Sequence, residues 1–127
     1  MRPPCELVIK YVLPAFRCSV ARSLVNDYGF TQVKTASALG MTQAAISYYL
    51  GERRGSRIRG FEENDLVRAA GVDVASGLAS GQLSGTDATA KFCLLCSKLR
   101  STAAFCQFHK SVDTVDTECH SCMMTGC

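Results

Sequence analysis

Residues 31–50 read TQVKTASALGMTQAAISYYL. Thr31 has the short hydroxyl side chain of a helix N-cap, and Gly40 can adopt the left-handed conformation that closes a helix, so the spacing predicts a helix over 32–39. Thr42 repeats the cap and opens a second helix that ends at Leu50-Gly51. Two short helices joined by a tight glycine turn are therefore expected. Ala36 stands where the two helices cross closely and must be small, while Leu39, Ile46 and Leu50 bury the inner faces.

This spacing of Ala36, Gly40 and Ile46 is the one a DNA-binding helix-turn-helix needs. It leaves Gln43, Ala44, Ser47 and Tyr48 facing outward on the second helix, with Tyr49 packed inward. Gln pairs with adenine, Ser serves donor or acceptor, and Ala meets a thymine methyl, so the set reads as a base-contacting surface. Thr31, Gln32 and Thr42 sit at helix N-termini, where backbone N–H groups and short polar side chains hold phosphates. The bland alternative is a helical hairpin inside an unrelated bundle.

The segment TQVKTASALGMTQAAISYYLGERRG resembles the phage-repressor class of helix-turn-helix regulators, over roughly residues 15–76. The whole layout, from MRPPCE at the start to paired cysteines at the end, is similar to archaeal regulators predicted from sequence. The resemblance implies a sequence-specific DNA-binding regulator that works as a dimer.

Outward from this unit, residues 51–60, GERRGSRIRG, are too rich in Gly and Arg for a helix and read as a basic loop. Arg53, Arg54, Arg57 and Arg59 would each neutralise a phosphate beside the groove. The charge is divided along the chain. The net +3 conceals a balance of +6 over residues 1–60 and −3 over 61–127, so the front half is the candidate for a polyanion.

Before the unit, Val8, Val12, Phe16, Val20 and Leu24 keep a four-residue spacing that favours helix, with a kink or break expected at Pro14 and an exit at Asp27-Tyr28-Gly29. After it, FEENDLVRAAGVDVA reads as one or two helices opened by acidic residues. From Gly77 to Ala90 the composition turns to Gly, Ser, Thr and Ala, read as a flexible connection whose first part extends a helix at most. The expected organisation is a DNA-binding domain over 1–76, a linker over 77–90 and a cysteine-rich module over 91–127.

Six of the eight cysteines fall within 93–127, and a chelating pair recurs every thirteen residues, at Cys93/Cys96, Cys106/His109 and Cys119/Cys122, followed by Cys127. A two-residue gap lets both side chains of a turn face one ion. Cys93, Cys96, Cys106 and His109 make the most economical zinc site, leaving Cys119 and Cys122 with Cys127 or His120. Sequence does not decide which pairs share an ion. Zn2+ is the first expectation and a [4Fe-4S] cluster the alternative, since soft thiolates serve both; a metal-free thiol switch is the third. Phe92, Leu95, Leu99, Phe105 and Phe108 read as a miniature core that metal would let form. Cys5 and Cys18 read as small buried apolar residues.

The fold class is thus mainly α: a helix-turn-helix domain followed by a small metal- or cluster-binding module. No Ser-His-Asp set, phosphate loop or paired-carboxylate site is present, so a non-enzyme is expected. The function expected is transcription regulation through double-stranded DNA, as a homodimer on an inverted repeat. The alternative is a small thiol-redox or metal-handling protein that uses its CxxC pairs. No apolar run approaches a membrane span, and the N-terminus has Glu6 and Lys10 inside its apolar stretch, so a cytoplasmic location is expected.

Overall fold

The structure, a computed structural model, describes residues 1–51, 54–114, 116, 118, 119 and 122. These residues are mainly helical, and among them there is no strand. None of their helices is long and apolar enough to cross a membrane.

The chain begins with α1 (Pro4–Leu7), one π turn (Val8–Val12) and α2 (Leu13–Asn26), which follow one another without a break. Pro14 has no N–H to give the ladder, and the wider turn immediately before it absorbs the mismatch, with the Leu13 N–H reaching back to the Val8 carbonyl. Val8, Val12, Phe16, Val20 and Leu24 are all buried, as their spacing predicts. The exit is also where it was expected: α2 stops at Asn26, and Gly29 turns the chain at φ 67°.

Next come α3 (Gln32–Leu39) and α4 (Gln43–Leu50), then α5 (Ser56–Glu62), α6 (Asp65–Ser80), α7 (Gly85–Arg100) and α8 (Ala103–Val112). α2 is the axis of the assembly, packed most extensively on α6 and also against α4 and α5. Gly71 permits that approach, because a Cβ there would lie 2.2 Å from the Ser19 hydroxyl and 2.8 Å from its Cβ.

Two expectations are corrected here. Residues 51–60 are not a loop throughout: α5 starts at Ser56 and runs to Glu62, since Ile58 and Phe61 lay an apolar side on the core. Residues 77–90 are not a flexible linker either. α6 continues to Ser80, Gly81 turns the chain at φ 78°, and α7 begins at Gly85. Gly77 is small because Leu83 folds back onto it, at 2.3 Å from where a Cβ would sit. Ser84 and Asp87 close a capping box at the start of α7, and the bonds from the Ser84 backbone and side chain hold the Asp87 carboxyl below its ordinary 3.8.

The miniature core expected for the cysteine-rich end is likewise absorbed into a larger one. Leu95, Leu99 and Phe105 belong to the same buried cluster as Leu7, Phe16, Leu24 and Val74, with Phe92 and Phe108 packed on it. Phe92 meets Phe16 at 5.2 Å between ring centroids, and Phe108 meets Tyr11 at 5.3 Å and Phe61 at 4.8 Å. Edge-on and tilted ring contacts of this kind add to the area they bury. α7 and α8 therefore share the core of the N-terminal helices.

Candidate nucleic-acid interface and cysteine cluster

α3 and α4 have the bounds that their caps predict. The Thr31 hydroxyl accepts the Lys34 N–H at 3.1 Å, the Thr42 hydroxyl accepts the Ala45 N–H at 3.1 Å, and Gly40 lies at φ 64°, ψ 37°. Ala36 and Ile46 form a second apolar cluster with Ala21 of α2, flanked by Leu39, Met41 and Leu50. Small side chains at 21 and 36 let the three helices approach.

On the opposite side of α4, Gln43, Ala44, Ser47 and Tyr48 are exposed, Tyr48 at 53%. At helical spacing these four span one continuous face. Tyr49 is buried at 8% exposure, as expected. Gln32 is half-buried at the first position of α3, and Thr31 and Thr42 are exposed. The N-termini of both helices thus open to solvent beside one polar face.

Arg54 departs from its expected role. Instead of reaching for a phosphate it is turned inward, 6% exposed. Its guanidinium grips Glu62 of α5, with Nε–Oε1 at 2.5 Å and Nη2–Oε2 at 3.3 Å, and donates through Nη1 to the carbonyls of Tyr49, at 2.8 Å, and of Gly51. The last carbonyls of a helix lack intrahelical partners and carry partial negative charge, so a buried cation satisfies them well. Cys18 is fully buried, as expected, and its thiol also donates to the Tyr49 carbonyl, at 3.0 Å. Burial, ahead of the nearby Glu62 charge, pushes that thiol up to about 11, so it stays a proton donor. Arg54 and Cys18 together pin the end of α4.

Arg57 is exposed on α5, where it donates to the Tyr11 hydroxyl at 3.3 Å, and Arg59 is exposed on the same helix. Arg53 lies outside the described residues, as do His120 and Cys127.

The cysteine pairs are not arranged as expected. Cys93 and Cys96 lie in mid-α7 and not in a turn, with Cys93 exposed and Cys96 buried in the core. Cys5, expected to be buried, is exposed. The second and third pairs do come together. His109 Nδ1 lies 3.1 Å from Cys122 Sγ, and Cys106 Sγ lies 3.7 Å from the Cys119 carbonyl.

His109 Nε2 is 2.9 Å from the Arg2 carbonyl, which only accepts, so Nε2 carries a proton, and Nδ1 is the nitrogen that faces the Cys122 sulfur. Burial, reinforced by the neighbouring Cys106 and Cys119 thiols, raises the Cys122 pKa. Among the described residues no three Cys, His, Asp or Glu side chains converge as a metal-holding group. The economical set of Cys93, Cys96, Cys106 and His109 is thus not assembled. Sequence reasoning had no signal for the contact between the N-terminal residues and α8, where the Arg2 N–H also donates to Asp113 Oδ2 at 2.9 Å.

Comparison of the chain with protein-family models, with curated proteins and with solved structures finds no match.

Proposed function

We propose that the chain is a sequence-specific DNA-binding regulator of transcription, acting as a homodimer on an inverted repeat in double-stranded DNA. The observation that carries this reading is the exposed row Gln43, Ala44, Ser47 and Tyr48 on a helix fixed at both ends, by the Thr42 cap and by Arg54 with Cys18. A base-reading helix has to be rigid, polar on its outer face and preceded by a turn that lets it project. A single such helix reads few base pairs, and two-fold symmetry doubles the site. With Arg54 committed to the interior, backbone contacts fall to the N-termini of α3 and α4 and to exposed side chains such as Arg57.

A second reading, thiol chemistry at Cys122 with His109 as its base, has the 3.1 Å contact in its favour. The raised pKa of the buried thiol runs against it, because a reactive cysteine needs an accessible, stabilised thiolate. Zinc or a [4Fe-4S] cluster would have to be built outward from His109 and Cys122, and no step of the proposed function passes through either.

Replacing Gln43 or Ser47 with Ala is expected to cost about 1–3 kcal/mol at the base pair each side chain contacts, and to leave non-specific affinity nearly unchanged. Competition binding with a cognate duplex and its single-base variants measures this. A uniform loss on every duplex would show that the side chains position the protein without reading bases.

A further inference from the structure

A cavity of about 270 Å3 opens between α5 and the start of α8. Three phenylalanine rings meet there: between centroids, Phe61 lies 4.8 Å from Phe108 and 6.4 Å from Phe105, and Phe105 lies 6.3 Å from Phe108. On the α5 side Arg57, Gly60, Phe61 and Asn64 follow at helical spacing, so they share one face. Arg57 is tied to the rings through Tyr11: its Nη1 donates to the Tyr11 hydroxyl at 3.3 Å, and Tyr11 packs edge-on against Phe108 at 5.3 Å. Gly60 is the second feature of this face. Glycine weakens a helix interior relative to alanine. Gly60 does not take a positive φ, and a Cβ there would meet no atom within 4 Å. Neither backbone conformation nor packing calls for a glycine, so what the missing side chain provides is room at the cavity wall.

We propose that this cavity binds a single-ring aromatic carboxylate, its ring against the three phenyl rings and its carboxylate on Arg57. Contact between aromatic rings in offset or edge-on geometry adds to the apolar area it buries. The volume lies just below the range of drug-sized sites, which suits one ring with its acid group. Both polar side chains at the cavity offer donors. Arg57 has only N–H groups, and the Asn64 Oδ1 already accepts from the Leu66 and Val67 N–H groups, which leaves its amide NH2. They match an acceptor, and a guanidinium fork takes a carboxylate by both oxygens. Among the described residues no Asp or Glu pairs with Arg57. Arg57 is also one of the side chains left to meet DNA phosphates, so an occupant would withdraw it from them. That consequence rests on the DNA-binding reading, whereas the site itself does not.

The test is calorimetric titration of the full chain, without DNA, by benzoate and by phenylacetate, with benzamide and acetate as references at matched ionic strength. Saturable binding of an aromatic acid at one site per chain is expected. Benzamide keeps the ring and acetate keeps the charge; each is expected to bind about tenfold more weakly or worse, the factor carried by a charge-assisted hydrogen bond or a buried ring. Gly60→Leu fills the cavity from a position with open space around it and is expected to abolish binding while the far-ultraviolet helical signal holds. Arg57→Gln is expected to bring the acids down to the level of benzamide and to leave benzamide itself unchanged, which decides the matter even if Gly60→Leu folds poorly. No saturable binding by either acid, equal affinity for benzoate and benzamide, full affinity in a folded Gly60→Leu chain, or acids unaffected by Arg57→Gln would overturn the proposal. Because no DNA is present, failure here leaves the DNA-binding reading standing, and success here does not support it.

Discussion

Glu62→Ala is expected to lower the stability of the chain by about 3–5 kcal/mol, the cost of leaving a buried charge without its partner. The Arg54 side chain is 2% exposed and that of Glu62 12%, so solvent reaches the guanidinium poorly and compensates only in part for the lost carboxylate. Arg54 also supplies hydrogen bonds to Tyr49 and Gly51, and an uncompensated guanidinium would pull away from them. Urea unfolding followed by far-ultraviolet dichroism measures the loss. A change below about 1 kcal/mol, the range of surface ion pairs, would mean that Arg54 is solvated and available to a phosphate after all.

Phe105→Ala is expected to cost a similar amount, about 3–5 kcal/mol, because the ring is 1% exposed and packs near Phe61 of α5 and Phe108 of its own helix. The more telling feature is the shape of the transition. Since α7 and α8 share one core with α2 and α6, the whole chain should unfold in a single step at lower denaturant, with no early loss of the C-terminal helices. Two separated transitions, the first confined to α7 and α8, would restore the picture of an independent module.

The parts of the fold legible in the sequence are those in which local chemistry decides. Thr31, Gly40 and Thr42 bound α3 and α4 to the residue, because caps and a left-handed glycine act within one turn of the chain. The four-residue spacing from Val8 to Leu24 was legible for the same reason, and so was the outward row on α4. What stayed hidden depends on partners distant in space. Gly77 and its small neighbours read as a flexible stretch, yet α6 runs on to Ser80 and α7 starts at Gly85, and Gly77 is small because Leu83 of the connecting turn lies against it. Arg54 is indistinguishable in sequence from a solvated neighbour; only the meeting of α4 with α5 brings Glu62 beneath it.

The thirteen-residue repeat of ligand pairs posed a similar problem. The spacing says which residues come in pairs but not which pairs meet, and His109 is held in part by the Arg2 carbonyl, a partner 107 residues away in the chain. Hence the contact of His109 with Cys122 emerged where Cys93 and Cys96 had been expected to join it.

The claim that the α4 face reads DNA is tested most directly by selection from a pool of random duplexes with the purified full chain. The account predicts enrichment of one sequence family with two-fold symmetry, bound by two chains with half-sites about one helical turn apart, and lost on Gln43→Ala with Ser47→Ala. Recovered duplexes indistinguishable from the starting pool at low salt, or an enriched sequence that the double variant binds as well as the parent chain, would contradict it.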